Sequence, residues 1–135
     1  MRVRLAIVLA VIVGALCQVG LGLAQSRPYY VDGTHFFVKP TFRIDLSGTG
    51  SWYIGNSRWL TWSPSGASAA TTFYTNGCKP NCAVGRLQAQ QARVRFFDLV
   101  ACRGSRVFSR FRVMSLDGRL LLSGAFRPLG YLDHC

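Results

Sequence analysis

The chain carries very little acidic charge and contains no glutamate. Among its 135 residues, 16 are lysine or arginine and 5 are acidic, so the formal net charge is +11. The acidic residues are all aspartates: Asp32, Asp45, Asp98, Asp117 and Asp133. Because the helix formers glutamate and lysine are scarce while β-branched and aromatic residues are plentiful, the composition favours strands over helices.

Catalytic motifs are lacking as well. The sequence contains no G-x-S-x-G or H-E-x-x-H element. Hydrolases need a nucleophile with a base, or a pair of carboxylates, held within reach of each other. The histidines are His35 and His134, and we expect each to be a surface or packing residue. The sequence therefore predicts a protein that is not an enzyme and binds no cofactor. A small extracellular hydrolase is the alternative, because triads assemble from distant positions.

The N-terminus has the pattern of an export signal. Arg2 and Arg4 precede an uncharged, mostly apolar run from Leu5 to Leu16. Gly22 and Ala24 then supply small residues at the positions that a signal peptidase requires. The pattern predicts a signal peptide over residues 1–24, cleaved before Gln25.

Two other fates of this segment stay open. Leu5 to Ala24 has about the 20 residues that cross a bilayer, so the segment could be retained as an anchor. Cys17 could instead carry a lipid, although Leu16 before it is larger than the side chain that lipoprotein peptidases prefer. Cleavage is favoured because glycines and Gln18 interrupt the second half of the apolar run.

The remaining residues, 25–135, suit one domain with a modest core. Without Arg2 and Arg4, 14 of the 16 basic residues face all 5 acidic ones, which gives a net charge of +9. We predict a secreted or cell-envelope domain without a stable transmembrane segment. Its first part, residues 25–41, could be mobile.

An even number of cysteines remains once Cys17 leaves with the signal: Cys78, Cys82, Cys102 and Cys135. In a small exported domain this indicates a disulfide framework, for which three connectivities are possible. We favour Cys78–Cys82 with Cys102–Cys135, because Lys79-Pro80-Asn81 is a turn-forming triplet. The C-x3-C spacing without clustered histidines is a poor zinc pattern, so no metal site is expected.

Short extended segments separated by turns predict an all-β fold. The strand candidates include residues 29–31, 35–38, 42–46, 52–62, 67–74 and 120–122. We predict a small antiparallel β-sandwich or barrel stabilised by disulfides. At least two of Trp52, Trp59 and Trp62 should pack in its core, with a carbohydrate platform as the alternative.

Residues 92–114 predict a long hairpin whose turn is Arg103-Gly104. The predicted register pairs Val94 with Val113, Phe96 with Phe111, Val100 with Val107 and Arg95 with Arg112. Apolar residues then meet across the two strands on one face, which is what fixes a register.

The other face of this hairpin is basic. It carries Arg93, Arg95, Arg110 and Arg112. Directly opposed like charges cost stability, and an acidic partner would relieve the repulsion. Guanidinium groups pair well with phosphate and carboxylate, so these four arginines are the candidate anion-binding residues. On the charges alone, a solvated face whose long side chains splay apart is favoured over a specific anion site.

A family resemblance rests on two segments. Residues Trp59 to Ser63 are W-L-T-W-S, and residues Asn76 to Gly85 are N-G-C-K-P-N-C-A-V-G. Over about residues 42–114 the chain resembles small secreted or lipid-anchored β-rich proteins of high-GC Gram-positive bacteria, which have an L-T-W-S segment before an N-x-C-x-P-N-C-A-x-G element. The resemblance implies an extracytoplasmic β domain and a Cys78–Cys82 disulfide, and it implies no activity. The arginine load, Cys102 and Cys135 depart from that pattern.

Two binding functions follow from these features. The first is a non-catalytic module whose arginine face binds an acidic envelope polymer, an anionic lipid surface or an acidic protein. Nucleic acid would satisfy the same electrostatics in a less expected compartment. The second is a secreted protease inhibitor or effector that presents the Cys78 to Cys82 loop, with Lys79 entering a protease pocket. The first is favoured because the loop also has a sufficient role as a covalent turn.

Overall fold

The all-β prediction is confirmed. We analysed a computed structural model that describes residues 27–77, 83–126, 132 and 135, and every regular element in those residues is a strand. The strands are β1 (Tyr30–Asp32), β2 (His35–Phe37), β3 (Ile44–Asp45), β4 (Trp52–Ser63), β5 (Gly66–Asn76), β6 (Leu87–Cys102), β7 (Ser105–Ser115) and β8 (Leu120–Ala125).

Six strands form one curled antiparallel sheet in the order β3-β4-β5-β6-β7-β8. Each of these strands pairs with the next one along the chain, so the sheet is a meander with short connections. The strands β1 and β2 pair with each other in a separate hairpin.

The central hairpin β6–β7 has the predicted register. Val94 pairs with Val113, Phe96 with Phe111, Val100 with Val107 and Arg95 with Arg112. The turn is Arg103-Gly104, with φ of 48° and 77°. Positive φ at both central residues is the geometry of a two-residue type I′ turn, whose twist matches that of the flanking strands.

The core lies on the inner face of the curled sheet and is rich in aromatic rings. Phe96 is fully buried at its centre. Its ring centroid lies 5.1 Å from that of Trp59, 5.1 Å from that of Phe126 and 5.8 Å from that of Tyr30. Burial of such side chains contributes about 1.5–3 kcal/mol each.

The first described residues of the domain belong to this core, and the mobility expected for residues 25–41 stays a prediction. Pro28 and Tyr30 are buried. Trp62 Nε1 donates a hydrogen bond of 2.7 Å to the carbonyl of Pro28, and Trp59 Nε1 donates one of 2.7 Å to the carbonyl of Pro40. Two of the three tryptophans therefore pack inward as predicted, and buried indole N–H groups find partners as they must.

The C-terminus is tied to the sheet by the disulfide Cys102–Cys135, which spans 33 residues of sequence. The other predicted bridge, Cys78–Cys82, lies outside the described residues together with the predicted signal peptide, Lys79 and His134. In the part of the chain that the structure describes, no helix is long and apolar enough to cross a membrane.

Candidate anion-binding face

The four arginines predicted to share a face do share the outer face of the sheet. In β6, Ala92, Val94 and Phe96 are buried on the inner face. Because side chains alternate along a strand, Arg93 and Arg95 between them point outward, and both are exposed. The strand β7 repeats the pattern with exposed arginines at 110 and 112.

The register sets the spacing between these charges. Arg95 lies directly opposite Arg112, and Phe97 lies directly opposite Arg110. The Phe97 ring centroid is 5.8 Å from Cζ of Arg110 and 5.7 Å from Cζ of Arg112. A ring within about 6 Å of two guanidinium groups attracts both through the cation–π interaction, and it places an apolar surface inside the basic face.

A single ion pair is found on this face. Arg110 Nη1 lies 3.6 Å from Asp98 Oδ2, and the two side chains are 59% and 57% exposed. Within residues 27–77 and 83–126, no carboxylate lies within 4 Å of Arg93, Arg95 or Arg112. The central hairpin therefore presents four guanidinium groups and one carboxylate, so the local charge of this face stays positive.

Other aspartates are engaged by hydrogen bonds away from the arginines. The Asp45 carboxylate accepts main-chain N–H groups of Ser47 at 2.8 Å and Gly50 at 2.7 Å. Asp117, in the β7–β8 turn, accepts a hydrogen bond from the Ser115 hydroxyl, which lowers the pKa of that carboxyl. These carboxylates stabilise turns and do not neutralise the arginines.

Sequence reasoning missed two further arginines of the face. Arg58 of β4 is exposed and pairs with Ala70, which in turn pairs with Arg93. Arg106 of β7 lies at the other end, in a cleft that it shares with Arg95 and Arg112. A Gly-Asn pair inside a strand, here Gly55-Asn56, is a bulge signal that would have revealed the changed orientation of Arg58.

On β5, small side chains lie beside the arginines of β6. Ser68 pairs with Arg95, and Ala70 pairs with Arg93. Gly66, at the start of β5, has φ of +141°, and a Cβ there would lie 3.1 Å from the Phe96 carbonyl oxygen and 3.4 Å from Arg95 Nε. The absence of a side chain at Gly66 lets the β4–β5 turn lie against Arg95.

An open cleft of about 450 Å³ lies where that turn meets the hairpin. Its lining residues are Pro64, Ser65, Arg95, Phe97, Asp98, Leu99, Arg106 and Arg112. The cleft therefore combines three guanidinium groups, one carboxylate and apolar walls.

Two other candidate chemistries have no comparable geometry. His35 is exposed on β2, where its Nδ1 lies 3.5 Å from the hydroxyl of Thr34. Among the described residues, no group of three or more histidine, cysteine, aspartate or glutamate side chains could hold a metal ion. The outer arginine face is the site that the described residues build.

Comparisons of the chain with protein-family models, with curated proteins and with solved structures find no match. The functional argument therefore rests on the geometry of this face.

Proposed function

We propose that this protein is an exported, non-catalytic binding module whose outer arginine face binds acidic partners of the cell envelope. The observation that carries the proposal is the direct opposition of Arg95 and Arg112, with no carboxylate within 4 Å of either in the described ranges. An acidic ligand would replace that repulsion with charge-assisted hydrogen bonds.

The extent of the basic surface supports the same proposal. It runs across four strands, from Arg58 on β4 to the arginines of β7, with Asp98 as the acidic side chain of its central hairpin. Consecutive outward residues of one strand are about 6.8 Å apart, and neighbouring strands are about 4.8 Å apart. A ladder of guanidinium groups at such spacings suits an extended polymer that carries a charge on each unit.

Charge reversal on the face, compared with an equal charge reversal elsewhere on the protein, tests the proposal. The variant Arg95→Glu/Arg112→Glu should elute from an immobilised sulfated polysaccharide at clearly lower salt than the unchanged protein, because it reverses the centre of the face. The control Arg86→Glu/Arg119→Glu makes the same change in net charge at exposed positions of two connecting turns. Equal losses in the two variants would show that net charge alone governs retention, and would refute a specific face.

A further inference from the structure

The cleft beside the β4–β5 turn differs from the rest of the basic face. Arg95, Arg106 and Arg112 line it from two strands, and no carboxylate lies within 4 Å of any of them in the described part of the chain. Its volume of about 450 Å³ is enough for one ring-sized unit and is small for a folded partner. Three guanidinium groups that line one cleft suit an anionic substituent.

The remaining walls of the cleft favour a unit that offers more than a charge. Phe97 and Leu99 are half-buried and supply apolar surface. Asp98 also lines the cleft, and its carboxylate disfavours a second anionic group on the unit that occupies it. The same carboxylate is a strong acceptor for hydroxyl groups. The lining of the cleft therefore fits a ligand unit that has one anionic group, one apolar face and neighbouring hydroxyl groups.

We infer that this cleft binds one acidic sugar residue of a polysaccharide, either a uronate or a sugar that bears a sulfate or phosphate. The anionic substituent lies among the guanidinium groups of Arg95, Arg106 and Arg112. The C–H face of the pyranose ring packs on Phe97, and the ring hydroxyls donate to Asp98. This inference rests on the proposed function and names the class of polymer that the arginine face recognises.

Oligosaccharide titrations separate this ligand from other polyanions. The probes are a galacturonate tetramer, the neutral galactose tetramer, inorganic polyphosphate, a single-stranded oligonucleotide and phosphatidylglycerol vesicles. We expect the galacturonate tetramer to bind, the neutral tetramer to bind far more weakly, and polyphosphate to bind through the arginines alone. Tighter binding of the oligonucleotide or of the vesicles than of the galacturonate tetramer would overturn the inference.

The variant Phe97→Leu keeps an apolar side chain and removes the ring. It should weaken binding of the galacturonate tetramer by about three- to tenfold, the usual size of an aromatic contribution, and weaken polyphosphate binding less, because the arginines that bind polyphosphate remain. Arg106→Gln should weaken galacturonate binding more than Arg58→Gln does, because Arg58 belongs to the same face and lies outside the cleft. Equal effects of the two arginine variants would contradict the assignment.

A measurement on the unchanged protein covers the case in which a variant does not fold. Intermolecular nuclear Overhauser effects between sugar C–H protons and the Phe97 ring are expected, and their absence at saturating galacturonate would refute the stacked pose.

The two proposals fail in different ways. If Arg95→Glu/Arg112→Glu abolishes polyphosphate binding while Phe97→Leu leaves galacturonate binding intact, the anion-binding face is supported and the sugar-binding cleft is refuted.

Discussion

Arg95 and Arg112 face each other across the β6–β7 hairpin, and the next residues on either side of this pair are Ser68 on β5 and Ser123 on β8. The row therefore holds two positive charges between two neutral side chains. Directly opposed like charges in a sheet destabilise it by up to about 1 kcal/mol. This repulsion destabilises the native fold at the centre of its basic face.

Removing one charge of this pair should stabilise the protein. We expect Arg112→Thr to raise the free energy of unfolding by about 0.2–1 kcal/mol at low salt, as measured by urea denaturation. The gain should shrink in 1 M salt, where the screening length falls to about 3 Å.

The matched control for that variant is Arg93→Thr. It makes the same change in side chain and strand propensity, but Arg93 lies opposite Met114 and not opposite a charge. If both variants stabilise the protein equally at every salt concentration, repulsion between Arg95 and Arg112 is not the cause.

Local alternation was sufficient to predict the central hairpin. Apolar and polar residues alternate from Ala92 to Phe96 and from Arg110 to Val113, and a two-residue turn leaves one register that pairs Phe96 with Phe111. Each of the four predicted arginines follows from that register. This part of the site could be predicted because it depends on near neighbours in the sequence.

Alternation failed at Arg58 because β4 contains a bulge. Asn56 has φ of 54°, and the pairing with β5 shifts between Gly55 and Arg58. If alternation is counted from Tyr53, Arg58 falls on the inner face, whereas the structure has it exposed and the following Trp59 packed inward. The extra residue reverses the two faces of the strand, and a second register shift between Trp59 and Thr61 reverses them again, so Trp62 also packs inward.

Packing between segments that are distant in sequence also cannot be predicted from local alternation. Alternation places Phe108 on the same face as Arg110, yet Phe108 is 1% exposed. The ring of Trp62 covers the Phe108 ring at a centroid distance of 5.4 Å. The main-chain N–H of Phe108 donates a hydrogen bond to the carbonyl of Tyr29. The predicted strand at 42–46 is shorter in the structure, as β3 (Ile44–Asp45), and it ends at Asp45 because the carboxylate of this residue holds the main chain of the next residues in a turn.

The disulfide Cys102–Cys135 should contribute to stability without contributing to recognition. It closes a loop of 33 residues at the end of the hairpin, and such loops stabilise by about 2–4 kcal/mol. We expect Cys102→Ser/Cys135→Ser to lose that amount in urea denaturation. At a temperature where it stays folded, it should keep the affinity of the unchanged protein for a sulfated polysaccharide.

The single variant Cys135→Ser is the control for this disulfide. Because loss of either partner opens the bridge, it should be destabilised about as much as the double variant. A double variant as stable as the unchanged protein would show that the cross-link does not constrain the unfolded chain.

Asp117 should make stability depend on pH in the acid range. The hydrogen bond from Ser115 and that from the main-chain N–H of Arg119 hold the pKa of this carboxyl below its usual value of 3.8. A group with a lowered pKa in the folded state stabilises fully above its unfolded pKa, and this stabilisation is lost as the pH falls through the folded pKa. The contribution of Asp117 to the free energy of unfolding should therefore decrease as the pH falls below about 4.

Urea denaturation of the unchanged protein and of Asp117→Asn at several pH values measures this contribution. The unchanged protein should be the more stable at pH 7, and the difference should narrow steadily as the pH falls below about 4. In a Ser115→Ala background the same comparison should show a weaker pH dependence, because the largest cause of the lowered pKa is gone. Parallel pH profiles for the unchanged protein and Asp117→Asn would contradict this role of the turn, and would mean that Asp117 titrates alike in the folded and unfolded chain.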